Sequence, residues 1–349
     1  MDPLMSPVLE LSASQLVSNV AAVRTHIAPS ALMLAMKDDA YGHGVDWVLE
    51  ALRDDAELTR FGSYDIDTGT RIRARRADAR VFAWATSTAD EVVRGLEAGI
   101  DLGVGSREYL DLVIAAARQT GLVARVHLKI DTGLHRSGVR PEDWHGVVAA
   151  AVEAEHAGLL RVVGVWSHLA EASDAEDDEA AAEFRRAVDE LRRQGLDPHD
   201  LHLTASAASW WRPELRGTVS RIGAFCYGIR SAEGPEVPGI RPVATLRARV
   251  TDVHADSVEI GIGALHGLPS ILTGATVGTP EGPRKATAIG QARTAVESWR
   301  GAAVGDAVNV FGPGGQGEGD ATGLAERIDT VGEEIVTRLT SAVKRVATR

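Results

Sequence analysis

The sequence predicts an α/β fold: an N-terminal (β/α)8 TIM-type barrel followed by a smaller C-terminal all-β domain. Three observations carry that expectation. Short apolar runs alternate with helical patterns from Val8 to about Gly228, the rhythm of parallel strands joined by helices. Nearly every polar cluster able to do chemistry directly follows one of those runs, as reacting groups do at the C-terminal ends of barrel strands. After Pro235 the chain turns to short β-branched runs broken by Gly and Pro, the signature of a small β domain. With 349 residues there is room for a barrel of roughly 250 residues and a second unit. The expected division is 8–233 for the barrel and 234–349 for the β domain.

Val8–Leu11 reads as a first strand or lead-in, and Ser12 can cap a helix from Ala13 to about Ile27 with Leu16, Val17, Val20, Val23 and Ile27 on one face. Leu32–Met36 is a buried-strand pattern ending in Lys37, followed by an Asp pair and the turn Ala40-Tyr41-Gly42-His43-Gly44. A helix follows over about Val45–Arg53. Phe61–Tyr64, Val81–Ala85, Leu102–Val104, Val126–Ile130, Val162–Trp166 and Leu201–Leu203 read as the next strands. Helical patterns at Thr88–Ala98, Arg107–Thr120, Trp144–Glu153 and Asp177–Gln194 separate several of them. The acidic stretch Ser173–Glu179 reads as a solvated helix approach. In the second part, Pro242–Val253, Ser257–Ile262, Ala286–Ile289 and Ala307–Val310 read as strands. Gly312–Gly319 lacks the Lys-Ser/Thr ending of a phosphate loop and reads as a flexible loop. Glu326–Val346 reads as helical, then extended.

Hydrophobic content of 44% and charged content of 25% suit a soluble globular protein. A net charge of −12 argues against nucleic acid or anionic membrane as the partner, and no apolar run is long enough to span a bilayer. The segment MDPLMSPVLELS lacks the basic-then-apolar layout of a secretory signal. The single cysteine, Cys226, excludes an intrachain disulfide and a thiolate-rich metal site and points to a reducing cytoplasm. No metal is expected.

Lys37, at the end of an apolar strand, is a poorly solvated amine suited to forming a Schiff base, with Tyr41 on the loop beyond it. Arg136 follows the strand Val126–Leu128 and suits a carboxylate, which a guanidinium grips in two parallel hydrogen bonds. His168 ends another strand. Ser206, among small residues at a helix start, suits phosphate. Arg221 and Gly223 come one barrel position later, where barrels often hold phosphate. Taken singly, each also has an ordinary reading: a surface lysine, a salt bridge, a structural histidine, an N-cap.

Taken together they carry a resemblance. Lys37 with AYGHG, KIDTGLHRSGV, WSHLAEAS, the Ser206 segment and RIGAFCYGI occur in the order and spacing of alanine racemases. These are fold-type III enzymes dependent on pyridoxal 5′-phosphate (PLP). The lead-in PVLELSASQLVSNVAAVR is similar to that family's first strand and helix, so the resemblance covers nearly all of residues 8–230. It implies that Lys37 forms a Schiff base with PLP and that Tyr41, Ser206, Gly223 and the backbone at Ala224 hold its phosphate. It implies that Arg221 faces the pyridine nitrogen, with His168 hydrogen-bonded beside it. Arg136 would contact the substrate carboxylate and be oriented by Lys129, often a carbamate in that family. The implied substrate is a small amino acid, alanine by default, and the implied assembly a head-to-tail homodimer.

Racemisation needs acid–base groups on both faces of the reacting carbon. In the family, the second face is served by a partner-subunit tyrosine in a GYADG-L-P segment. The matching segment here is Gly263-Ala264-Leu265-His266-Gly267-Leu268-Pro269, with Ala264 at the tyrosine position. A Met-Asp pair corresponds to Ile289-Gly290, a late tyrosine to Glu333, and the asparagine before Ser206 to Ala205. The β domain is also shorter between Val253 and Val258. His266 lies two residues from the altered position, a spacing that returns to the same face of a strand, and imidazole is an acid/base near neutral pH. The expected function is a PLP-dependent racemase of small amino acids with altered or weak activity. A one-base PLP enzyme acting stereospecifically at the α-carbon and a PLP-binding accessory protein stay open beside it.

Overall fold

The computed structural model describes residues 6–348. The first five residues, at the head of the segment read for a leader, and Arg349, at the end of the predicted β domain, lie outside the described residues. The chain begins with β1 (Val8–Ser12), α1 (Ala13–Ile27), β2 (Ala31–Ala35), α2 (Val45–Ala51), β3 (Arg60–Ser63) and α3 (Ile66–Arg75). It continues through β4 (Arg80–Ala83), α4 (Ala89–Glu97), β5 (Asp101–Val104), α5 (Arg107–Thr120), β6 (Ala124–Lys129) and α6 (Pro141–His156). Then come β7 (Leu160–Trp166), α7 (Asp174–Arg193), β8 (Asp200–His202), α8 (Ser206–Trp211) and β9 (Val219–Ile222). The remaining strands are β10 (Ala244–Val253), β11 (Ser257–Ile260), β12 (Thr276–Thr279), β13 (Gly282–Ile289), β14 (Thr294–Glu297) and β15 (Ala307–Phe311), followed by α9 (Ala321–Glu326), α10 (Gly332–Thr337) and β16 (Lys344–Thr348). Among the described residues, no helix is long and apolar enough to cross a membrane.

The chain divides into two compact units. The first, residues 23–37 and 55–223, holds a parallel sheet in the order β8-β7-β6-β5-β4-β3-β2-β9. It closes on itself where Arg221 N donates to Thr204 O (3.2 Å) and Leu201 N to Thr218 Oγ1 (2.8 Å). Its strands are near-continuous apolar runs because both faces are covered, as parallel strands require. Met33, Phe82, Trp166 and Val219 pack together in this core. Its helices start where capping residues stop the chain from extending. Asp65, Ser106 and Ser173 each accept an N–H of the following first turn, and Thr88 forms a capping box with Glu91.

The second unit comprises residues 6–22, 38–54 and 224–348. Its sheet runs β11-β14-β13-β12-β15-β10-β1-β16, with β10 also pairing β11. Every described pairing is antiparallel except that of β1 with β16. The opening strand Val8–Ser12 therefore belongs to this sheet, paired with β10 and β16. Its residues alternate between buried and half-buried, the habit of a strand with one covered face. Strands β12 and β14 have no counterpart in the sequence reading.

The glycine-rich stretch at 312–319 is ordered rather than flexible. The buried carboxylate of Glu318 accepts from the backbone N–H of Gly314 and Gly315 (both 3.1 Å), of Gln316 (2.8 Å), and from Asn309 Nδ2 (3.2 Å). The loop is folded around its own anion.

Candidate active site

Lys37 follows β2 and the fully buried Met36, whose N–H reaches Gly62 O (2.8 Å). Directly after it the backbone does something unusual. Asp38, Asp39, Ala40 and Tyr41 all have φ between 51° and 55°, one turn of left-handed helix. For non-glycine residues this costs about 1–2 kcal/mol each, so the turn is over-determined by its contacts. Gly42 N donates to Asp38 O (2.9 Å) and Gly44 N to Asp39 O (2.8 Å), while the Asp39 carboxylate accepts from Val45 N (3.0 Å) at the start of α2. The turn also receives Arg345 Nε on Gly42 O (3.2 Å), from the far end of the chain.

The turn aims two rings inward. The Tyr41 phenol is pushed above its ordinary range by burial, with the Glu333 charge adding to it and Cys226 and Asp38 following. Tyr41 is thus a protonated O–H donor at neutral pH. His43 donates from Nδ1 to the carbonyls of Ala40 (2.9 Å) and Tyr41 (3.0 Å) and stacks on Tyr227. Burial lowers its pKa to about 4, against the raising effect of those two carbonyls.

In the barrel unit the predicted residues converge at strand ends. Arg221, on β9, is buried. It donates from Nη1 to His202 O (2.6 Å) and His202 Nδ1 (3.1 Å), and from Nη2 to Ser167 O (2.7 Å), Leu203 O (3.2 Å) and His168 Nδ1 (3.3 Å). Burial, then the Arg136 charge, lowers its pKa to about 9, with Glu171 opposing. It remains a cation at pH 7. His168 is driven to about 3 by burial and then by Arg221, Arg136, Lys129 and Lys37. Four positive charges therefore act on one neutral ring. Because Arg221 supplies its Nδ1 with a proton donor, the His168 hydrogen resides on Nε2.

Behind Arg221 runs a polar chain that the sequence reading missed. Arg221 donates to His202 Nδ1, so His202 Nε2–H donates to His127 Nδ1 (2.8 Å), and His127 Nε2–H faces Asp101 Oδ2 (3.5 Å). Burial would raise the Asp101 carboxyl, but His127 and the paired Arg125 outweigh it and hold it low. His202 is held well below its ordinary pKa by burial, then by His127 and Arg221. The chain fixes both rings in one tautomer and braces the guanidinium from below.

Arg136 lies exposed on the loop after β6. That loop is shaped by Asp131, whose carboxylate accepts from Gly133 N (3.1 Å) and His135 N (3.0 Å). Lys129 Nζ sits 4.6 Å above the Trp166 ring and donates to Ser137 Oγ. Burial first, then Arg136 and Arg221, lower its pKa to about 8. Trp166, which fills the barrel core beside it, has a buried Nε1 without a hydrogen-bond partner among the described residues.

Ser206 opens α8, whose N-cap, Ala205, offers no side-chain acceptor. Among the described residues nothing accepts from the N–H groups of Ser206 and Ala207, while Ala208 N donates to Glu171 Oε1 (3.2 Å). Gly223 closes the barrel unit and Ala224 opens the next stretch of the other, both buried. In that other unit, Ala264 is exposed at the start of a short 3₁₀ turn. His266 ends the turn, buried, with its Nδ1 accepting from Gly263 N (3.1 Å). Burial lowers its pKa, against that hydrogen bond. With Nδ1 so engaged, Nε2 carries the ring's proton.

The family model described as "Alanine racemase, N-terminal domain" matches residues 11–231. The chain belongs to the alanine racemase family. It is 36% identical to an alanine racemase of Thermobifida fusca over 95% of both chains, and 35% identical to one of Beutenbergia cavernae over 94% of both. Its fold matches the crystal structure of the alanine racemase from D-cycloserine-producing Streptomyces lavendulae with a TM-score of 0.93 at 29% identity, covering 99% and 97% of the two chains. The match to the Streptomyces coelicolor A3(2) enzyme has a TM-score of 0.92 at 30% identity, covering 99% and 98%. The family's barrel and β domain are both present here.

Proposed function

We propose that this chain is a PLP-dependent racemase of alanine or a related small amino acid, acting as a homodimer with one active site built on each barrel. The observation that supports the reading is the set of positive charges of Lys37, Lys129, Arg136 and Arg221 acting on the single neutral ring of His168. Such a set suits an anionic cofactor and a carboxylate substrate. The donor set fits PLP. The unaccepted amides and hydroxyl at the start of α8 are the kind that take a phosphate, and Lys37 is the amine for its aldehyde. When bound, PLP supplies an electron-poor ring that lets the amino acid's α-proton leave.

The chain's own residues do the rest. Ser206, Gly223, Tyr41, four residues beyond Lys37, and the backbone of Ala224 would hold the phosphate, as the resemblance implies. Arg221, a cation braced by three carbonyls and two imidazoles, would by the resemblance face the pyridine nitrogen and keep it unprotonated. His168 accepts from the guanidinium through its Nδ1 (3.3 Å). Arg136 orients the substrate carboxylate. Lys37 carries protons on one face of the α-carbon.

The opposite face is where a second reading enters. A methyl group at Ala264 transfers no proton, and the accepting nitrogen of His266 is engaged by Gly263. His266 can serve there only as a donor through Nε2, or as a base after its turn opens. The second reading, stereospecific one-base chemistry at the α-carbon, rests on these two observations. Exchange of α-deuterium from both enantiomers of alanine into H2O decides the matter. Loss from both at comparable rates supports racemisation, and a His266→Ala variant then tests the imidazole. Loss from one enantiomer alone supports the one-base reading. No exchange and no visible absorption from lysine-bound cofactor would refute both.

A further inference from the structure

We propose that Glu171 is the positioning residue for the start of α8, supplying across space the N-cap that Ala205 cannot. This deepens the PLP reading and rests on it for the ligand, though not for the cap itself. An N-cap side chain normally accepts an N–H from the second or third helical residue. Ala205 has no acceptor, yet the N–H of Ala208, the third helical residue, is satisfied by Glu171 Oε1 at 3.2 Å. The contact spans 37 residues of sequence.

The loop after β7 is shaped to make that contact. Glu171 has a left-handed backbone, φ 54°, which no glycine relieves. Its own N–H is tied to Asp177 Oδ1 (3.2 Å) on α7. The charge of its carboxylate opposes the lowering of the Arg221 pKa. Losing the cap should let the first turn of α8 fray, turning the Ser206 and Ala207 amides away from a phosphate while leaving the pyridine end in place.

The test uses Glu171→Ala, Glu171→Gln, and Glu171→Ala combined with Ala205→Asn. Hydrogen exchange at the Ala208 amide is read in cofactor-free protein. Affinity is read for PLP and for pyridoxal, which lacks the phosphate. Glu171→Ala should speed Ala208 exchange and weaken PLP binding about 5-fold each while leaving pyridoxal affinity unchanged. Glu171→Gln, which keeps an acceptor oxygen, should stay near wild type. Adding Ala205→Asn, which supplies an acceptor at the N-cap itself, should restore both readouts in the double variant. Unchanged Ala208 exchange, equal weakening of PLP and pyridoxal, or failure of Ala205→Asn to restore either readout would overturn the assignment. Should wild-type protein fail to bind PLP at all, the PLP reading falls and the exchange measurement alone upholds or overturns the cap.

Discussion

Supplying 13C-labelled bicarbonate near pH 8 should carboxylate Lys129. Carboxylation needs the free amine, and the protein prepares one. With its pKa lowered to about 8 from the ordinary 10.5, Lys129 is about one quarter unprotonated at pH 7.5, against about one part in a thousand for a surface lysine. That is an enrichment of roughly 200-fold. The charges of Arg136 and Arg221, which help to lower the pKa, would stabilise the anionic product. The Trp166 face at 4.6 Å acts the other way, favouring the ammonium. The assay is a carbamate carbonyl resonance in the 13C spectrum, present in wild type and missing in Lys129→Arg. At constant bicarbonate the signal should rise with pH through about 8 and then level off. A resonance that survives in Lys129→Arg, or a midpoint above pH 10, would refute the reasoning.

Acid should unfold the protein through its neutral histidines. His43 titrates near 4 in the folded state and His202 well below 6.5, so each contributes stability above pH 6.5 that is lost as pH falls. Between pH 6.5 and 4.5 His43 alone costs about 2 kcal/mol, and His202 and His168 act in the same direction. Urea melts across that range should show the slope, and His43→Gln should make it shallower. Gly164→Ala places a Cβ against the His127 ring and 2.8 Å from Asp200 O, an overpacking cost of about 1–3 kcal/mol or more in a urea melt. A change below about 0.5 kcal/mol would show the polar chain to be slack. Ala264→Tyr returns an acid/base group to an exposed position and should raise racemisation about 10²–10⁴-fold, read by polarimetry on L-alanine. No gain would mean that the second face is served by another group.

The barrel was legible because strands covered on both faces leave unbroken apolar runs, and the helices between them carry their own caps. Short strands were not. Thr276–Thr279 and Thr294–Glu297 hold too few apolar residues to show a period. Val8–Ser12 was legible as a strand, but a local pattern does not name its partners. Among the site residues, Lys37, Arg136, His168 and Ser206 could be singled out because each follows an apolar run, and Arg221 because it stands with Gly223 one barrel position later. Glu171, Arg345 and the His127–His202 pair could not, since their partners lie 37, 303 and 75 residues away. The left-handed turn at Asp38–Tyr41 was equally hidden, because Asp-Asp-Ala-Tyr does not by itself demand it.

Glu318 has a consequence for selectivity. Backbone amides in a glycine-rich bend attract small anions. Here the bend is shut from the moment the loop folds, because a resident carboxylate takes those amides and repels newcomers of like sign. A phosphate arriving from solvent finds this bend already filled.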